Sequence, residues 1–90
     1  LGGTYRALKN FEKGVEYHEA SLVIAREFGD RRSEGNSLGN LGYDNFYLGN
    51  RGKAEDFLRE AIKIFEEIES PSAEIIREWL AKLESNAVQL

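Results

Sequence analysis

The chain repeats itself at an interval of 40 residues, and this constrains its fold more than anything else in it. Leu1-Gly2 returns as Leu41-Gly42, Leu8 as Leu48, Asn10 as Asn50, Lys13 as Lys53, Glu27 as Glu67 and Glu34 as Glu74. Conservative echoes lie between them: Gly14 and Ala54, Tyr17 and Phe57, Leu22 and Ile62, Ile24 and Ile64. A fixed period in this range marks units that cannot bury their apolar face alone and stack on copies of themselves. Such stacks expose long surfaces suited to holding other molecules.

The pattern within each period is helical. One Pro in 90 residues, and later segments rich in Ala, Leu, Glu and Lys, favour helix throughout and leave no strand. The spacing predicts five helices. The first runs over 1–8 and ends at a Lys9-Asn10 turn. The second, over 11–28, carries Phe11, Val15, His18, Leu22, Ala25 and Phe28 at steps of three and four, one buried stripe. Gly29-Asp30 stops it. The third begins near Ser33 as cap and runs to Leu48, with Leu38, Leu41, Asn45 and Leu48 inward. It contains Gly35, Gly39 and Gly42, each costing an exposed helix roughly 1 kcal/mol against Ala, so close helix–helix approach is expected there. After Gly49-Asn50-Arg51-Gly52 the fourth covers 53–68. Ser70-Pro71 opens the fifth as cap and first helical residue. Ile75, Ile76, Trp79, Leu80 and Leu83 form its apolar stripe, read as the face of a capping helix.

Charge and composition narrow the partners. The net charge is −4, with eight Lys/Arg against seven Asp/Glu in residues 1–54 and four against nine in 55–90. Phosphate backbones need clustered cations, so nucleic acid is not expected as a partner. There is no Cys, and hence no disulfide or thiolate metal site. No apolar run is long enough for a membrane span, so no membrane partner is expected and a cytoplasmic location is. The absence of Met and the half-repeat at the start suggest a fragment of a longer chain.

Leu38, Leu41-Gly42, Gly49, Ala54 and Ala61-Ile62 follow an order of large apolar, Leu-Gly, turn Gly and small-small-large. In this the chain resembles the tetratricopeptide repeats over residues 1–83. The first repeat matches through Leu1-Gly2, Tyr5, Gly14, Ser21 and Leu22, with Lys9 in place of the turn Gly. The 40-residue form, with its Asp30-Arg31-Arg32-x-Glu34 link and Leu38-Gly39-Asn40-Leu41-Gly42, is similar to repeats in G-protein-signalling modulators and in many bacterial and archaeal proteins. The resemblance implies an all-α fold of antiparallel helix pairs, a right-handed α-solenoid. Its expected parts are a truncated repeat over 1–32, a second repeat over 33–70 and a capping helix over 71–86. It also implies a protein-interaction module that holds a peptide or protein segment in a concave groove lined by the first helix of each pair. Carried onto this chain, that groove consists of Arg6 and Asn10, beside Gly3 and Ala7, and of Asn36, Asn40, Tyr43, Phe46, Tyr47 and Asn50 beside Gly39. Asn carboxamides donate and accept at once, as a peptide backbone requires, and the aromatics offer large contact area. A variant of the family grips a terminal carboxylate with Lys, Asn and Arg. Here only Asn40 fits, since Gly3, Ile76 and Leu80 stand where the other groups belong.

Catalytic and cofactor chemistry is not expected. His18-Glu19 lacks the second His of a zinc-protease motif, because Leu22 stands there. Gly49-Asn50-Arg51-Gly52-Lys53-Ala54 lacks the hydroxyl and the upstream Gly of a phosphate loop. Glu66-Glu67 belongs to a solvated helix face and not to a cleft. The reading is a non-enzymatic binding module without metal or cofactor. The alternatives are a self-assembly module, pairing through the exposed repeat edge or by helix swapping, and a regulatory domain of a larger signalling protein.

Overall fold

The computed structural model of the chain describes the backbone of residues 2–89 and the side chains of residues 9–85. Four helices follow one another: α1 (Gly2–Phe28), α2 (Arg31–Tyr47), α3 (Arg51–Glu67) and α4 (Ser72–Gln89), with no strand among the described residues. The first two expected helices are one. At roughly 1.5 Å per residue, the 27 residues of α1 account for the longest dimension of the molecule, 41 Å.

The reason lies in how the other helices stop. Each of α1, α2 and α3 ends with two reversed hydrogen bonds that satisfy its last carbonyls. They are Gly29 N to Arg26 O with Asp30 N to Ala25 O, Gly49 N to Phe46 O with Asn50 N to Asn45 O, and Glu69 N to Glu66 O with Ser70 N to Phe65 O. This geometry needs a left-handed residue, supplied by Gly29 at φ 65°, Gly49 at φ 85° and Glu69 at φ 55°. Glu69 takes up a conformation costly for an L-residue, and the next residue, Ser70, stands before Pro71 and is driven out of the helical region, so the helix cannot run on. The stops recur every 20 residues. One step earlier stand Lys9 and Asn10, with neither a glycine nor a proline to force the turn, and the helix runs through them.

The sequence link Asp30-Arg31-Arg32-x-Glu34 has a job in this arrangement. Asp30 caps α2, its carboxylate accepting from the Ser33 backbone N–H at 3.1 Å and from the Ser33 hydroxyl at 2.7 Å. The Ser33 hydroxyl bond, then the backbone bond, hold the Asp30 carboxyl below its usual value. The cap is therefore Asp30, three residues ahead of the expected Ser33. Glu34 is nearly buried and gathers Arg31 at 2.9 Å and Arg26 of α1 at 3.3 Å, while Arg31 also pairs with Glu67 of α3. One motif thus starts α2 and ties three helices together.

Helix α2 is the centre of the molecule. Gly35 faces Phe65 and Ile64, and seven residues on Gly42 faces Leu58 and Ala54, so α2 and α3 run antiparallel in tight contact. Leu38, Leu41, Ala54 and Ala61 have no exposed surface, and Phe65 and Leu58 almost none. Burying a side chain of Leu or Phe size contributes about 1.5–3 kcal/mol. On its other flank α2 takes α1, through Leu22 and Ala25. Helix α4 lies on α3 with Ala73, Ile76 and Leu83 buried, and Arg77 pairs back to Glu66. Of the stripe expected on α1, Phe28 departs: it is 82% exposed at the helix end. Tyr17 and Ile24 share that face at 70% and 55%, whereas Ile64, the counterpart of Ile24 one period later, is 5% exposed. Helix α2 covers Ile64, as its contact with Gly35 shows, and no described element does the same for Ile24.

Asp44 of α2 is buried toward α1. Gly14 gives it room, since a Cβ there would lie 2.7 Å from Asp44 Oδ2. That oxygen has no hydrogen-bond partner among the described residues, and His18 Nε2 stands 3.7 Å away. Burial pushes the Asp44 carboxyl above its usual value, and His18 offsets this only in part.

Three variants check this packing. Gly42→Ala would put a Cβ 2.6 Å from Leu58 Cδ2 and 3.2 Å from the Ala54 carbonyl oxygen, so thermal unfolding should show a loss of about 1–3 kcal/mol from overpacking. Gly52→Ala meets open space and should instead gain about 0.4–1 kcal/mol. A group whose folded pKa is raised stabilises below its unfolded pKa and loses that contribution as pH rises through the folded value. Asp44→Asn should therefore gain stability relative to wild type between pH 3 and pH 7, and a constant difference across that range would remove the burial argument.

Candidate functional site

Helices α2 and α4 run side by side over α3 and in the same direction, since Gly39 approaches Ile76 and Tyr43 approaches Trp79 further along both. The seam between them opens into two hollows that meet at Trp79. One, of about 330 Å³, is walled by Tyr43, Phe46, Tyr47, Trp79 and Lys82 over a floor of Gly42, Leu58 and Leu83. The other, of about 300 Å³, is walled by Asn36, Asn40, Ser72, Ile75 and Trp79 over Gly35, Gly39, Phe65 and Ile76. The glycines of α2 therefore serve twice. They let α3 and α4 approach, and they leave the seam open where side chains would fill it.

An aromatic run crosses one end of this seam from three helices. Phe11 of α1 stacks on Tyr47, with ring centres 4.9 Å apart and planes 6° from parallel. Tyr47 meets Tyr43 at 4.8 Å and Phe46 at 5.2 Å, and Tyr43 meets Trp79 at 5.5 Å. Such contacts add about 0.5–1.5 kcal/mol beyond area burial and hold the rings in place. Tyr43 and Tyr47 nevertheless remain 42% and 47% exposed. The adjacent Tyr47 hydroxyl, then burial, push the Tyr43 phenol above its usual value, so near neutral pH it stays a donor. Asn36 and Asn40 are exposed, and neither makes a side-chain hydrogen bond among the described residues.

The seam thus brings together Asn36, Asn40, Tyr43, Phe46 and Tyr47 of the residues expected in a groove. Two others lie elsewhere. Asn10 is exposed on α1, which runs straight on and forms no separate first helix. Asn50 lies in the turn after α2, donating from its side chain to Asn45 Oδ1 at 3.2 Å, and lines a different trench between α1 and α3. The Arg6 side chain lies outside the described residues. Six residues of the seam, Ser72, Ile75, Trp79 and Lys82 in its walls and Ile76 and Leu83 in its floor, come from α4 and were not expected there. A stripe containing one Trp and several Ile and Leu reads as core, and only the parallel placement of α4 beside α2 turns its edge toward the groove.

The trench between α1 and α3, of about 620 Å³, is acidic, with Glu12, Glu16, Glu19, Asp56 and Glu60 beside Lys53. Among the described residues no group of three His, Asp or Glu side chains is placed to hold a metal ion, and no helix is long and apolar enough to cross a membrane.

Comparison with known proteins agrees with this architecture. Residues 1–67 match the tetratricopeptide repeat family. The human G-protein-signaling modulator 1 is 45% identical over 42 residues, which are 47% of this chain and 6% of that protein. The mouse and rat proteins of the same name are 39% identical over 41 residues, 46% of this chain and again 6% of theirs. The matched stretch is thus under half of this chain and a small part of those relatives. With a family match over residues 1–67 and helices that stack pair upon pair, the chain belongs to the tetratricopeptide repeat family.

Proposed function

We propose that this chain is a protein-interaction module whose working surface is the α2–α4 seam, where it holds an extended or helical segment of another protein. Tetratricopeptide repeats generally mediate protein–protein interaction, and this supplies the class. One observation carries the assignment to the seam. The row Asn36, Asn40, Tyr43 and Tyr47 is exposed on a helix that, past Arg31 and Arg32 at its start, is otherwise buried or half-buried between two neighbours. Rigid aromatics held by their own contacts give up little freedom on binding, and free carboxamides match the alternating donors and acceptors of a peptide backbone. Arg6, Asn10 and Asn50, expected in the groove from the sequence, are not part of this proposal, since Asn50 lines the trench between α1 and α3.

The test is capture of a partner from the source lysate by the wild-type chain and by Asn40→Ala/Tyr43→Ala. Loss of an aromatic anchor at a binding centre commonly costs about 2 kcal/mol or more, close to thirtyfold in affinity. A protein retained by the wild type should be lost by the double variant with helicity intact. If the variant unfolds, these side chains hold the structure and the assignment fails.

A second reading rests on the uncovered α1 face of Tyr17, Ile24 and Phe28. There the chain would pair with itself, as a structural or assembly module. Sedimentation should then show mass rising with concentration in the wild type and a constant monomer in Ile24→Glu. A wild-type monomer at all concentrations would dismiss this reading.

A further inference from the structure

The charge around the seam says which segments suit it, an inference that rests on the groove reading above. The chain carries a net charge of −4, yet the residues lining the two hollows include no carboxylate and one cation, Lys82. Lys82 is exposed and, like Arg32, Arg51 and the other described lysines, has no ion-pair partner among the described residues; what sets it apart is its place in the lining of the seam. It lines the aromatic hollow together with Tyr43, Tyr47 and Trp79. The carboxylates instead line the trench behind α2, between α1 and α3. A basic segment therefore finds its complement on the other side of the molecule, and an acidic one finds here the one cation that lines the seam.

We infer that the α2–α4 seam takes a segment bearing one aromatic or leucine-sized side chain, seated against Tyr43, Tyr47 and Trp79, with an Asp or Glu close by it that pairs with Lys82. The hollow is open on the solvent side and apolar at its floor of Leu58 and Leu83, which suits one bulky side chain and not a run of them. A single ammonium suits a side-chain carboxylate. The centre of Asn36 and Asn40 lies seven residues before that of Tyr43 and Tyr47, roughly 10 Å along the helix. An extended segment advances roughly 3.3 Å per residue, so the carboxamides meet its backbone about three residues from the anchor. They add affinity there without reading a side chain. The specificity of the site lies in the anchor and the acid.

A library of random dodecamers, displayed at the N-terminus of a phage coat protein, tests this when panned on the 90-residue chain with Asn40→Ala/Tyr43→Ala as counter-selection. The expected enrichment is an aromatic residue or Leu within two positions of Asp or Glu. A synthetic peptide of that sequence should change the emission of Trp79, the one Trp in the chain, and bind about five- to tenfold more weakly to Lys82→Gln. Panning on Lys82→Glu should replace the acid in the selected motif by Lys or Arg. Enriched peptides that depend on Asn40 and Tyr43 but are neutral or basic would overturn the inference and leave the groove in place. Enrichment indifferent to Asn40 and Tyr43, or none, would overturn the groove and the inference with it.

Discussion

Everything in this molecule depends on how closely α2 is allowed to approach α3. At Gly42 the missing side chain lets Leu58 and the Ala54 carbonyl come within what would be overlap for any Cβ, and at Gly35 the ring of Phe65 does the same. Glycine within a helix gives up roughly 1 kcal/mol against alanine, so this sequence accepts a weaker helix in return for a closer crossing. The consequence is geometric. With α3 drawn in, α4 can lie on it near enough for Ile76 to reach Gly39, and the α2–α4 seam acquires its depth. The site is a by-product of the packing, with the same three glycines setting the core on one side and the hollows on the other.

Electrostatics then gives each face of α2 a different character. Glu34 is buried but well served by Arg26 and Arg31, so its charge is matched where it enters the core. Asp44 is buried without such service, its free oxygen turned toward Gly14 and His18. The seam face carries no charge at all on α2 itself, only amides and phenols, and Lys82 on α4 is the single ionic group within reach. The faces of α2 are thus an ion-paired start, a buried acid and a neutral amide row, and the last of these faces the open seam.

Much of this was legible in the sequence because the repeat is strong. The 40-residue echo, the inward row Leu38, Leu41 and Asn45, and the need for close approach at Gly35, Gly39 and Gly42 all follow from spacing and from the cost of glycine in helices. The continuity of α1 did not follow. A turn was expected at Lys9-Asn10 by analogy with Gly49-Asn50, but a helix stops only where something stops it. Gly29, Gly49 and Pro71 do so and Lys9 does not. Trp79 and Lys82 were missed for another reason. On α4 alone Trp79 belongs to an apolar stripe and Lys82 to the polar back, and their place in a groove comes from a neighbour more than 30 residues away in sequence. Periodicity reports which face of a helix is buried and cannot report which edge of that face is shared with a second helix running the same way.

The central claim is that a partner is held on the seam and not on the uncovered face of α1. It is tested most directly by placing a photo-reactive benzophenone side chain at position 43 and, in a separate protein, at position 24, and irradiating each in lysate. The account predicts covalent adducts with another protein from position 43 and none with that protein from position 24. Adducts formed only from position 24, or a position-43 product made solely of two copies of this chain, would contradict it.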